Sequence, residues 1–195
     1  MAEVRPRLQH IFLTGPPGVG KTTLTKKICE RLRTNRIKIQ GFYTEEKREH
    51  GSRIGFDVVS LDGKRGPLAR ITSQQCGNFP KVGRYAVDIQ AFESIALPIL
   101  NNLQSSPILI LDEIGKMELY SNKFKQKISE IFQNSETVIL ATIPSRPMPT
   151  VDSLRKLPSA KIFTENYRNQ LLTKIFNNSR CVNSNHPLMK TQCST

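Results

Sequence analysis

Short continuous apolar runs alternate along this chain with stretches in which apolar residues return every three or four positions. Residues 10–14 (HIFLT) are a run of the buried-strand type. Across 21–33, Leu24, Ile28 and Leu32 recur along one face while Lys26, Lys27, Arg31 and Arg33 fill the others, which predicts an amphipathic helix. Residues 37–44 (IKIQGFYT) read as a second strand. The turn signals His50-Gly51 and Asp62-Gly63 flank RIGFDVVSL and predict an antiparallel meander inserted after the first strand–helix unit.

Residues 85–89 read as a further strand, and 92–103 as a helix that Pro98 is expected to kink or break. Residues 108–111 (ILIL) form a buried strand, Phe124, Ile128, Ile131 and Phe132 mark a helix, and 138–143 is again a strand. The loop IPSRPMPT leads to a short helical stretch, then a strand at 160–163 and a helix at 171–176. From Asn177 the chain turns polar and irregular and reads as a tail, about 177–195. Alternating strands and helices predict an α/β fold, a mainly parallel sheet with helices on both faces, in one domain spanning 1–195 without internal repeats.

Composition narrows the function classes. An apolar share of 37% suits a globular protein, and no apolar run approaches the ~20 residues of a membrane span. The start, MAEVRPRLQH, lacks the apolar stretch of a signal peptide, so the expected compartment is the cytoplasm, with nuclear access left open. Cys29, Cys76, Cys181 and Cys193 form no CxxC pair, which argues against a disulfide framework or a zinc site; Cys29 falls on the apolar side of its helix and is expected to be a buried thiol. The net charge of +13 permits nucleic acid, an anionic surface or a triphosphate as partner. Its spread over several elements, rather than one arm, leaves nucleic acid open but not favoured.

The candidate chemistry begins at Gly15-Pro16-Pro17-Gly18-Val19-Gly20-Lys21-Thr22, which fits G-x-x-x-x-G-K-[ST] at each fixed position, between a strand and a helix. Glycines let successive backbone N–H groups converge on phosphate oxygens, and the helix start adds its positive end. Lys21 is placed to reach the β- and γ-phosphates, and the Thr22 hydroxyl to ligate Mg²⁺.

At the far end of ILIL stand two acids, Asp112 and Glu113. Asp112 suits a Mg²⁺-side carboxylate acting through water. Strand neighbours point to opposite sides, so Glu113 cannot repeat that role; it can hold the attacking water as a general base. The plainer reading is that Glu113 merely solvates the strand end. Asp112-Glu-Ile-Gly115 is also D-x-x-G, by which GTPases bring a glycine N–H to the γ-phosphate, but no N-K-x-D follows to read guanine. Lys116 is a surface charge or a partner of Glu113 or of a phosphate.

With FLTGPPGVGKTTL, GFYTEE, RIGFDVV, GPLAR, VGRYAVD, FESIALPIL, LDEIGKMEL and ATIP in view, the chain resembles the cancer-related nucleoside-triphosphatase family from about residue 10 to about 172. That resemblance implies a RecA-like P-loop fold with extra antiparallel strands. It also implies Mg²⁺-dependent hydrolysis of ATP, GTP and other nucleoside triphosphates to the diphosphate, with weak base discrimination. Carried over by position, nucleotide contacts fall on Thr14, Gly15, Pro16, Pro17, Gly18, Val19, Gly20, Lys21, Thr22 and Thr23, and on Leu111, Asp112, Glu113, Ile114 and Gly115. Lys21 and Glu113 would be catalytic, with Thr22 and Asp112 toward Mg²⁺. The family tends to show an Asn-Arg pair before its last helix, where this chain reads Thr164-Glu-Asn-Tyr-Arg168, with Tyr167 before the arginine.

The expectation is therefore a monomeric nucleoside-triphosphatase without a membrane partner. The alternatives are a small-molecule or nucleoside kinase, whose nucleophile arrives on an acceptor, and a nucleic-acid-associated ATPase. Arg84, Arg146 and Arg168 are unranked candidates for an arginine finger.

Overall fold

The structure, a computed structural model, describes residues 10–72, 78–103, 108–133 and 137–164. Its strands are β1 (His10–Gly15), β2 (Ile39–Glu49), β3 (Ser52–Ser60), β4 (Arg65–Ile71), β5 (Lys81–Val82), β6 (Tyr85–Val87), β7 (Ile108–Asp112), β8 (Val138–Pro144) and β9 (Ala160–Phe163). Its helices are α1 (Lys21–Thr34), α2 (Ile89–Asn101), α3 (Asn122–Gln133) and α4 (Pro149–Arg155). All nine strands join one sheet in the order β5-β6-β4-β3-β2-β7-β8-β1-β9. From β2 to β9 every pairing is parallel, and from β2 outward to β5 every pairing is antiparallel. The sheet is the expected parallel core, extended on one side by the expected meander.

Alternation of side chains across the strands divides the core. Ile11, Leu13, Ile110, Leu140 and Phe163 face α1 and its Ile28, Cys29 and Leu32. Phe12, Phe42, Leu109, Leu111, Ile139 and Ala141 face the other way, toward Phe92 and Ala96 of α2 and Phe124, Ile128, Ile131 and Phe132 of α3. Helices therefore lie on both faces. Phe42, Phe92 and Phe124 meet at ring separations of 5.1–6.0 Å where the parallel and antiparallel halves join. A side chain on Gly41 would place its Cβ 1.9 Å from the Ile110 carbonyl oxygen, so β2 can approach β7 this closely only with glycine there.

Several expectations shift at their boundaries. β2 runs on through the polar stretch to Glu49 because β3 pairs with it beyond the core, where polar side chains are tolerated. The hairpin turns at His50-Gly51, both with positive φ, as that dipeptide suggests. The strand expected over 85–89 stops at Val87, since the Asp88 side chain accepts from the Ala91 N–H and starts α2 three residues before the expected 92. Of the kink or break expected at Pro98, the break does not occur: α2 continues to Asn101. Pro98 lies on the exposed face, as does Ser94, whose carbonyl loses its helical donor and can turn to water, while Phe92, Ala96 and Leu100 anchor the opposite face. The helix expected at 171–176 and the tail lie outside the described residues. Among the described residues, no helix is long and apolar enough to cross a membrane.

Candidate active site

The loop after β1 closes onto a bare helix end. Gly20, at φ 95°, turns the chain into α1, a backbone conformation that glycine adopts without strain. No side chain caps the helix and no acidic residue stands in its first turn. The first-turn amides therefore keep their free N–H groups and positive potential for an anion. Lys21 Nζ donates to the carbonyl oxygens of Gly15 at 3.0 Å and Pro16 at 3.3 Å, which holds the ammonium over the mouth of the loop.

Across the sheet, β8 lies between the loop strand β1 and the acid-bearing strand β7. Asp112, at the end of β7, is 1% exposed. Its Oδ1 accepts the Thr142 hydroxyl of β8, and its Oδ2 makes no hydrogen bond among the described residues. Burial raises its pKa, against the Thr142 and Thr22 hydroxyls and the Lys21 charge, which favour the ionised carboxylate. A buried carboxylate oxygen left open beside a helix-start hydroxyl fits a Mg²⁺ ion that takes one or two protein oxygens and completes its shell with phosphate and water. Among the described residues no group of three or more His, Cys, Asp or Glu is placed to hold a metal ion by itself.

The peptide between Asp112 and Glu113 is cis. Beyond it, Glu113 reaches the cleft in front of the loop, and burial and the Asp112 charge raise its pKa while Lys21 lowers it. The cleft encloses about 900 Å³. Its near wall is Pro17, Gly18, Gly20, Lys21, Thr22, Thr23 and Lys26, its floor Glu113, Gly115, Lys116 and Glu118, and its far wall Thr44, Glu45, Glu46, Arg53, Phe56, Leu68, Val82 and Met117.

Of the nucleotide contacts expected from sequence, Thr14 and Val19 line a small hollow with Leu24, Phe163 and Thr164 that shares Gly20 and Lys21 with the cleft. Leu111 and Ile114 are fully buried core residues, and the Ile114 N–H is taken by the Thr142 carbonyl at 2.9 Å. Gly115 donates its N–H to Glu118 Oε2 at 3.0 Å, so the D-x-x-G spacing does not present that amide to a γ-phosphate. Lys116 is exposed on the cleft floor. Arg84 turns to the Arg53 carbonyl and the Tyr85 hydroxyl, Arg146 is exposed beyond β8, and Arg168 lies outside the described residues.

Three residues of the site, Thr142 behind Asp112 and Glu118 and Arg53 in the cleft, were missed from sequence. Thr142 was detectable as the polar residue inside the apolar run VILATI. Glu118 and Arg53 carried no signal, because the pairings that bring them to the cleft are long-range or sit within a turn. Arg53 lines the far wall, where it donates to Glu46 at 2.6 Å and to the Tyr85 hydroxyl at 2.9 Å.

A glycine loop closing on an uncapped helix, with a buried acid one strand removed from it, defines a P-loop NTPase of α/β architecture. The chain belongs to the family described as NTPase, which matches residues 10–176. It is 45% identical over 179 residues to the cancer-related nucleoside-triphosphatase homolog of Mus musculus, covering 86% of this chain and 94% of that protein. It is 42% identical over 171 residues to nucleoside-triphosphatase THEP1 of Thermotoga maritima, covering 85% and 92%. The crystal structure of THEP1 from Aquifex aeolicus superposes with a TM-score of 0.74 at 38% identity, covering 85% of this chain and 96% of that one. The solution structure of a human cancer-related nucleoside triphosphatase gives 0.73 at 43% identity, covering 91% and 99%.

Proposed function

We propose that this protein hydrolyses ATP, GTP and other nucleoside triphosphates to the diphosphate and phosphate, with Mg²⁺ and with little regard for the base. One observation carries the reading: a second carboxylate, Glu113, faces the same cleft as Lys21, apart from the buried Asp112. The relatives named nucleoside-triphosphatase support it.

The loop amides and Lys21 bind the β- and γ-phosphates and offset their charge. Thr22 and Asp112 would hold Mg²⁺, which supplies positive charge to the phosphate oxygens when bound. Glu113 orients a water and accepts its proton as the water oxygen bonds to the γ-phosphorus. The bond from that phosphorus to the β–γ bridging oxygen breaks, and the diphosphate leaves. A base so placed contributes roughly 10²–10⁴ in rate.

A kinase is the second reading, since Phe56, Leu68, Val82 and Met117 line the same cleft as Glu113 and offer a surface where an acceptor could sit. Phosphate release from ATP, GTP, CTP and UTP without acceptor separates the two. The phosphatase reading predicts many turnovers on each nucleotide at similar kcat/KM. Turnover only on adding an acceptor hydroxyl compound contradicts it.

A further inference from the structure

Glu118 is a buried acid that the mechanism above leaves unused. It is 4% exposed, and among the described residues no cation lies within ion-pair distance of it. Asp57, buried to the same degree, is by contrast paired with Arg65 and Arg70. A carboxyl is not kept in such a place for packing, since burying it costs free energy that a Leu or Met would not.

Its contacts close the segment that carries Glu113. Glu118 Oε2 accepts the Gly115 N–H at 3.0 Å, and the Gly115 carbonyl accepts the Leu119 N–H at 3.1 Å. One residue earlier, the Ile114 N–H is fixed to β8 through the Thr142 carbonyl. A Cβ placed on Gly115 would lie 2.9 Å from Glu113 Oε1 and 3.0 Å from Glu118 Oε2. The two carboxyl groups therefore flank one glycine, with oxygens within about 6 Å of each other.

We infer that Glu118 is a positioning residue: by holding the Gly115 amide, it fixes where the Glu113 carboxylate stands and withholds that amide from the γ-phosphate. The inference rests on Glu113 being the base. Burial, together with the Glu113 charge, pushes the Glu118 carboxyl up to about 8, so at neutral pH it is largely uncharged and can sit beside Glu113 without repelling it. The consequence is a strand end built for constant hydrolysis, since the backbone group that a nucleotide-sensing switch would use is already occupied.

The test is steady-state ATP hydrolysis, with nucleotide affinity measured separately, in Glu118→Ala, Glu118→Gln, Glu113→Gln and the double variant Glu113→Gln/Glu118→Ala. Displacing a base by about 1 Å lowers a rate by about 10²-fold, so Glu118→Ala should lose at least ~10-fold in kcat with KM within ~3-fold of the parent. Glu118→Gln, whose amide oxygen can still accept from Gly115, should keep at least about a third of kcat. In the double variant, the Ala change should add no further loss, because it acts through Glu113.

Unchanged kcat in Glu118→Ala, a Gln variant as slow as the Ala variant, or multiplying losses in the double variant overturns the proposal. If Glu118→Ala does not fold, Gly115→Ala takes its place: its Cβ forces Glu113 Oε1 to shift and crowds Glu118 Oε2, and it should lower kcat at least ~10-fold with affinity kept; full kcat there overturns the proposal equally. Full turnover in Glu113→Gln removes the base reading and this proposal with it. An impaired Glu113→Gln beside an unimpaired Glu118→Ala removes this proposal alone.

Discussion

The Thr142 hydroxyl of β8 donates to Oδ1 of Asp112 at the end of β7, leaving Oδ2 as the open oxygen. The bond runs sideways between neighbouring strands, one position beyond the Leu111–Ala141 pairing, so the sheet itself aims the acid. β8 thus does more than separate the loop strand from the acid strand: it orients the carboxylate proposed for Mg²⁺.

Removing that hydroxyl while keeping the side-chain shape should loosen Asp112. In Thr142→Val, the Mg²⁺ concentration for half-maximal hydrolysis should rise ~10-fold, as when an outer partner of a metal ligand is lost. A Mg²⁺ titration of turnover checks this, and an unchanged midpoint would detach Thr142 from metal binding.

The pH dependence of stability follows from Glu118. Its folded pKa, about 8, lies above its ordinary value of 4.5, because burial and the Glu113 charge favour the protonated form. The stabilisation it gives is complete below about pH 4.5 and is lost as the pH climbs toward 8. Asp112 and Glu113, raised chiefly by burial, act with the same sign. Glu45, lowered by its bonds to Lys26 and Arg65, acts with the opposite sign and only as the pH falls through the acid range. The melting temperature of the nucleotide-free protein should therefore fall between pH 5 and 8, and by less in Glu118→Gln. Equal slopes in the two proteins would contradict the assignment.

Cys29 packs against the sheet from α1 at 4% exposure, and burial pushes its thiol up to about 11. A thiol-specific alkylating reagent at pH 7.5 should leave Cys29 unmodified in the native protein and label it on unfolding, as peptide mass spectrometry can follow. Labelling in the native state would show that α1 opens.

Local signals reached far into this fold. The loop sequence, the four-residue apolar period of α1 and the uninterrupted run ILIL each state their structure within a dozen residues, and the structure places them accordingly. What escaped depends on distant pairing. The strand read over 37–44 runs on through the polar residues 45–49 because their strand character comes from β3, and α2 runs through Pro98 because its anchors lie on the opposite face. At the site, the loop and the two acids were legible as motifs. The Glu118–Gly115 bond was not, since an acid three residues past a glycine has no meaning until the turn closes.

In the proposed reaction Glu113 activates the attacking water. Replacing Glu113 by Gln removes the proton acceptor and keeps the shape, so the decisive measurement is multiple-turnover phosphate release by Glu113→Gln beside its nucleotide affinity. With Glu113 as the base, kcat should fall by about 10²–10⁴ in this variant with ATP binding within ~3-fold of the parent. Wild-type turnover in that variant would contradict it.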